Sequence, residues 1–351
     1  MSDYEKYKYF KRKYLTLKKE INQRPNSNYK MSMDLFYNFE NASSVFSPQS
    51  IMMLLSMIMQ NTNNDILKIL DFKEIKNYVS EFNPEIMDID FFLIFDDFKI
   101  KKKYLDNLKG LAHVVNKNFD ESRAISYKVN NFISRHTNSA IKNILSENDL
   151  RKNSLVVINT VYFRVKWFYK FNANETTSMT FHKTDTDVVE MMHQINRFHY
   201  FENDLIKLVE IPFHDVDYVM GIILPKDYME EDNMNYSINN IPQFTSEELE
   251  KFTTQLKPVL LNMYIPKFER CHHNLLNTTL EKIGWSNILK KLSVSRIIHK
   301  VFFSIDENGE HDVNSESYND AKDFTANHSF IYYVRYLPKN IFLLFGDYQG
   351  T

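Results

Sequence analysis

Leu155–Phe181 reads LVVINTVYFRVKWFYKFNANETTSMTF. In its first nine residues all but Leu155 and Asn159 are β-branched or aromatic, a composition that favours a strand. Strand-like runs continue downstream: VVEMMHQ from Val188, KLVEIPF from Lys207, YVMGIILP from Tyr218, VLLNMYIP from Val259, KVFFSI from Lys300, FIYYVRY from Phe330 and IFLLFG from Ile341. Two short helical patterns interrupt them. TSEELEKF opens with Thr245 and Glu248 in capping-box spacing, and NLLNTTLEKIGW follows from Asn274. Pro338–Asn340 reads as a tight turn between the last two strands. Upstream, helical patterns dominate to about residue 147, with one apolar strand, FFLIF, at Phe91. Helices first and strands later predict an α+β fold with largely antiparallel sheets.

The chain has 351 residues, 43% hydrophobic and 25% charged, as a globular protein does. Six glycines leave little scope for phosphate-cradling loops, and a net charge of −2 argues against a nucleic-acid partner. One cysteine, Cys271, rules out an internal disulfide. The apolar run IMMLLSMIM, Ile51–Met59, is too short to cross a bilayer, which takes roughly 20 residues; it reads as a helix buried on all sides. The N-terminus has no signal-peptide core. A soluble, intracellular monomer without membrane contact is expected.

Residues 1–30 read as a separate segment. Tyr7, Phe10, Tyr14, Leu17 and Ile21 form an apolar seam at alternating spacings of three and four, an amphipathic helix, followed by a polar linker, Asn22–Lys30. A single domain is expected over 31–351.

No catalytic motif stands out: the chain lacks G-x-S-x-G, H-E-x-x-H, a P-loop and G-x-G-x-x-G. Cys271–His273 offers soft ligands, but neighbours on an extended segment point opposite ways, so they read as incidental. Lys99–Lys109, KIKKKYLDNLK, reads as a solvated helix face. The Asn174-Glu-Thr176 sequon needs a secretory route. His299, in SRIIHKVFF, reads as a satisfied core histidine. No metal, cofactor or catalytic residue is expected. One feature stays unexplained, the acidic connector DENGEHDVNSESYNDAKDF, Asp306–Phe324, between two apolar runs. Connections of this length without structure of their own are functional or disordered.

Several segments resemble the serpin family in order. Ser47, Pro48, Ser50 and Ile51 in NASSVFSPQSIMMLL are similar to its early signature, and VNNFISRHTNSAIKNIL to its N-x-W-V-x-x-x-T helix, with Phe132 in place of tryptophan. Asn159, Phe163, Trp167, Phe171, Thr176 and Phe181 fall on its N-A-x-Y-F-x-x-x-W pattern. VEMMHQ, LVEIPF, YIPKFE, LSVSRIIHKVFFSIDENGE and FTANHSFIYYVRYLPKNIFLLFG continue the likeness, over about residues 31–347. The resemblance implies three mainly antiparallel β-sheets, eight or nine helices, and a reactive-centre loop, about 309–324, that serves as bait for a protease. Such a loop is cut and then inserts into the main sheet; the catalytic serine belongs to the target, so the chain is not an enzyme. The Lys-, Tyr- and Asn-rich N-terminus resembles proteins of large DNA viruses, which implies a host cytoplasm.

The resemblance further implies a shutter and breach built from Ser50, Asn159, Trp167, Lys267 and His299. Ser50, Asn159 and His299 are expected to share hydrogen bonds beneath the main sheet, Trp167 to lie near the loop, and Lys267 to pair with Glu307. The loop departs from the family pattern. After Glu307 and Gly309, its hinge continues with Glu310 and Asp312 instead of small residues, and only fifteen steps separate Gly309 from Phe324. The face that insertion would bury reads Glu310, Asp312, Asn314, Glu316, Tyr318. A member without trapping activity, acting as a binding or decoy protein, is therefore expected. The alternative is an inhibitor of a caspase- or granzyme-type protease, cut between Asp323 and Phe324.

Overall fold

The computed structural model describes residues 27–39, 45–59, 86–96, 102–152, 154–182, 187–226, 243–313 and 320–350. The amphipathic helix expected before residue 22 lies outside these residues.

Sixteen strands are described: β1 (Val45–Phe46), β2 (Ile86–Phe95), β3 (His113–Lys117), β4 (Leu155–Arg164), β5 (Trp167–Tyr169), β6 (Thr177–Thr180), β7 (Val188–Glu202), β8 (Ile206–Pro212), β9 (Tyr218–Pro225), β10 (Lys257–Pro266), β11 (Phe268–Leu275), β12 (Val294–Ile305), β13 (Gly309–His311), β14 (Lys322–Thr325), β15 (Phe330–Tyr336) and β16 (Ile341–Tyr348). They form three sheets. A nine-stranded one runs β1-β16-β15-β9-β8-β7-β10-β14, with β6 on β7; a five-stranded one runs β11-β12-β4-β2-β3; β13 pairs with β5. The α+β architecture, the three sheets and the majority of antiparallel pairings match expectation, while the two-stranded sheet is parallel. Seven α-helices fall among the described residues, against the eight or nine expected.

β4 is central in the five-stranded sheet, parallel to β12 and antiparallel to β2. Val156 and Ile158 face the helix Ser122–His136 through Ile125, Val129 and Ile133. Val157, Val161 and Phe163 face the two larger cores on the other side. Burial on both faces explains why LVVINTVYF shows no polar alternation. The helix Pro48–Met59 is buried at every residue. Ser47 starts it, its Oγ accepting from the Ser50 N–H at 3.2 Å.

The linker reading of Asn22–Lys30 is corrected from Ser27 on. A helix spans Ser27–Asn38, and the domain begins before residue 31. Asn28 is buried because its side chain completes a strand: its Nδ2 donates to the Phe342 carbonyl (3.1 Å) and its Oδ1 accepts from the Phe342 N–H (2.7 Å). Tyr29 Oη donates to Asn340 Oδ1 at 2.8 Å. Polarity here marks a satisfied interior, not solvent. The same network holds a buried ion pair: Arg335 donates from Nε (2.9 Å) and Nη2 (2.7 Å) to Glu210, and from Nη1 to Asn340 (2.8 Å). Tyr333 Oη also donates to Glu210 at 2.8 Å.

Candidate functional site

The acidic connector leaves β12 through a turn in which Asp306 Oδ1 accepts from the Asn308 N–H at 2.9 Å. Its first residues form β13, parallel to β5, with Gly309 opposite Trp167 and His311 opposite Tyr169. Trp167 N–H donates to the Asn308 carbonyl (2.9 Å), its indole Nε1 to the Asp306 carbonyl (2.7 Å), and Phe171 N–H to the Glu307 carbonyl (3.0 Å). The Trp167 ring is buried and stacks on Phe213 at 4.9 Å. Gly309 is required here by space: a Cβ would lie 2.4 Å from both the Lys170 Cα and its backbone nitrogen.

Glu307 and Lys267 form an ion pair at 3.2 Å, and Thr176 Oγ1 donates to Glu307 at 3.0 Å. Burial alone would raise the Glu307 carboxyl, but hydrogen bonds from its own backbone, Lys267 and Thr176 hold it below the usual range. The next acids are also paired, at the surface: Glu310 with Lys166 at 3.9 Å and Asp312 with Lys170 at 2.5 Å. Asn314, Glu316 and Tyr318 lie outside the described residues.

At its far end the connector becomes β14, an edge strand parallel to β10. Asp323 lies opposite Asn262, whose Nδ2 donates to its carboxylate at 2.9 Å, and Lys322 pairs with Glu202. The expected loop, about 309–324, ends sooner, since β14 begins at Lys322 and already holds Asp323 and Phe324. Phe324 is fully buried, in the same core as Tyr200 and Met263. Its apolar side chain gains by entering that core, so the bond between the two residues is held in a strand.

Beneath the sheet, Ser50, Asn159 and His299 are brought together. His299 Nδ1 donates to Asn159 Oδ1 at 2.6 Å, while its Nε2 accepts from the Ser47 N–H at 2.9 Å. Ser47 Oγ donates to Ser50 Oγ (2.8 Å), and Ser50 Oγ to Asp88 Oδ2 (2.6 Å). The Asn159 amide donates to Asp88 (2.6 Å) and Asp90 (2.9 Å). Burial pushes His299 down to about 3, with His272 and His273 adding to the effect, so the ring is neutral and serves structure. Burial pushes Asp88 up to about 6 against the bonds from Ser50 and Asn159. Asp90 is also raised well above its usual range, by burial first and then by the charge on Asp88. Neither aspartate was anticipated. Their signal was the i, i+2 spacing in IMDIDFF, which points both to one face of a strand.

Cys271–His273 lie along β11, and among the described residues no group of three metal-ligating side chains occurs. Tyr104 and Leu108 bury one side of the helix Lys102–Leu108. Thr176 of the sequon is the residue that holds Glu307. The arrangement is mechanical in kind: a strand that can pair at two places, anchored at both ends, above a sheet closed by buried hydrogen bonds.

The family model for Serpin (serine protease inhibitor) matches residues 26–349. An uncharacterized serpin-like protein, R700, of Acanthamoeba polyphaga mimivirus is 33% identical, over 98% of this chain and 99% of its own. The leukocyte elastase inhibitor of Xenopus tropicalis is 26% identical, over 91% and 97%. A crystal structure of maspin superposes with a TM-score of 0.80 at 24% identity, covering 93% of this chain and 98% of that one.

Proposed function

This chain belongs to the serpin family, and from that membership we propose that its loop derives from a protease bait that does not insert. The observation that carries this reading is the placement of Glu310 and Asp312. Glu310 lies on the first strand of the loop and Asp312 just past its end, as charged partners of Lys166 and Lys170. Insertion would part β4 from β12, break these pairs, and turn Glu310, Asp312 and Glu316 toward the core. Each unpaired buried charge costs several kcal/mol, whereas a new backbone hydrogen bond contributes only about 0.5–1.5 kcal/mol. The balance opposes insertion. The chain then works inside the cell as a monomeric binding or decoy protein, with a protease as its partner class and no catalysis of its own.

A second reading keeps inhibition. It is favoured by the likeness to a relative named leukocyte elastase inhibitor and uses Asp323 as the residue before the cut. A screen of caspases and chymotrypsin-like proteases separates the two. On the first reading no gel-stable covalent complex forms, and nicking the loop at pH 7 leaves the melting temperature unchanged. A covalent complex, or a rise of tens of degrees after nicking, overturns it.

A further inference from the structure

We infer that His193 and Asn262 are positioning residues for the loop, forming with Glu175 a hydrogen-bond chain that clamps its far end at Asp323 and ties it to its near end at Glu307. The inference rests on the reading of this loop as bait-derived, but the clamp is a local property that can be measured without any protease.

His193 lies on β7 opposite Tyr264 of β10, and the two rings stack at 4.4 Å. Its Nδ1 faces Glu175 Oε2 at 2.9 Å and its Nε2 faces Asn262 Oδ1 at 2.9 Å. Both partners are acceptors, so each ring nitrogen satisfies its partner where it carries the proton. The orientation of Asn262 follows. With its oxygen turned to His193, its Nδ2 donates to Asp323 at 2.9 Å. Either neutral form of His193 leaves acceptors face to face: at Glu175 in one tautomer, or between a reversed Asn262 and the Asp323 carboxylate in the other. The Nε2–H tautomer keeps the Asp323 contact and gives up the one at Glu175, so the contact at Asp323 depends on a donor at His193 Nε2.

The other end is fixed as firmly. Asn172 Nδ2 donates to Glu175 Oε1 at 2.9 Å, and the adjacent Thr176 donates to Glu307 at 3.0 Å. The charged groups facing His193 are Glu175 from the turn Ala173–Glu175 and, through Asn262, Asp323 from β14. Lys170 and Asp312 line the adjoining cavity of about 680 Å³, to which His193 and Glu175 also contribute. His193 and Asn262 thus lie between two carboxylates, Glu175 from the turn and Asp323 from β14, and hydrogen bonds to ionised acceptors are the stronger class.

The test is hydrogen–deuterium exchange of the full chain and of its variants at one pH, corrected for intrinsic exchange. The readout is the protection of Lys322–Thr325 relative to Ile331–Tyr336. Asn262→Leu is expected to lower this ratio roughly tenfold, on the order of one charge-assisted hydrogen bond. His193→Leu should lower it as well, and His193→Gln, which keeps a donor toward Asn262, should recover part of the loss. Asp323→Asn, at an exposed site, removes the carboxylate and should lower the ratio by itself, so the test stands even where the His193 variants do not fold. An unchanged ratio in Asn262→Leu, or in Asp323→Asn, overturns the proposal. A covalent protease complex would overturn the non-inserting reading and leave this result untouched.

Discussion

Asp88 and Asp90, two residues apart on β2, meet at one donor, the side-chain amide of Asn159, at 2.6 and 2.9 Å. Both carboxyls are raised above their unfolded values, so their stabilising contribution is full below about pH 4 and is lost as pH climbs through the folded values, about 6 for Asp88 and well above the ordinary carboxylate range for Asp90. Asp90→Asn keeps an acceptor for Asn159 and removes one buried charge. At pH 7.5 it should raise the melting temperature by roughly 2–5 °C, with a smaller effect at pH 5. A fall in melting temperature at pH 7.5 would show that the charge is compensated.

Gly309→Ala places a methyl group 2.4 Å from the backbone of Lys170. The strand β13 must lift from β5, taking with it the Asp306 carbonyl that binds the Trp167 indole. Proteolysis within Gly309–Val313 should accelerate and the Trp167 emission should change, at a global cost of about 1–3 kcal/mol. Unaltered tryptophan emission would mean that the hinge adapts in place.

The Lys267–Glu307 pair is a case for a double-mutant cycle, since removing Glu307 also releases Thr176 and removing Lys267 also releases Glu190. Lys267 is more than a third exposed, at 39% of its side chain, so screening holds the expected coupling to about 0–1 kcal/mol. Glu307 is held below its usual range. Its contribution is therefore present above the ordinary carboxylate pKa and fades as pH falls through the folded value. Measured coupling should weaken in high salt; a salt-independent value above 2 kcal/mol, well beyond the surface-pair range of about 0–1, would contradict this.

Arg335→Leu strands the buried Glu210, whose carboxylate the guanidinium meets with two nitrogens. The expected loss is about 3–5 kcal/mol in denaturant unfolding. Replacing Glu210 with Gln in the same chain should recover part of it, because the charge, not the missing contact, is the larger cost. No recovery would assign the loss to packing.

The parts legible in the sequence are those in which apolar pattern and burial agree. FFLIF, LVVINTVYF and IMMLLSMIM announce a strand, a strand and a buried helix, and the structure has them. Ser50, Asn159 and His299 could be placed together only through the family likeness, since no local pattern joins residues 249 positions apart. What escaped notice was polarity put to interior use. Asn28 and Tyr29 look like linker yet complete β16, and Asp88 and Asp90 look like a solvated strand face yet sit at the shutter. His113–Lys117, a short strand after a helix, carries too few residues for a period to register. Phe324 looked like the edge of a loop because the acids before it outweigh one apolar residue, although that residue decides where the loop ends.

With His311 bound to the Lys170 N–H and Lys322 paired to Leu261, the loop is a tether of fixed contour. Ten residues, 312–321, join the two anchors, and at full stretch they span roughly 35 Å. Its crest can therefore rise no more than about half of that, some 17 Å, above its footings. A substrate segment of about six residues lying straight in a cleft takes roughly 20 Å of the same chain. Little slack would be left on either side for a cleft that engages 312–321, and the Asp323–Phe324 bond lies past that stretch, in β14. On the reading proposed above, a shallow-clefted or small partner is the kind that this length of chain would admit.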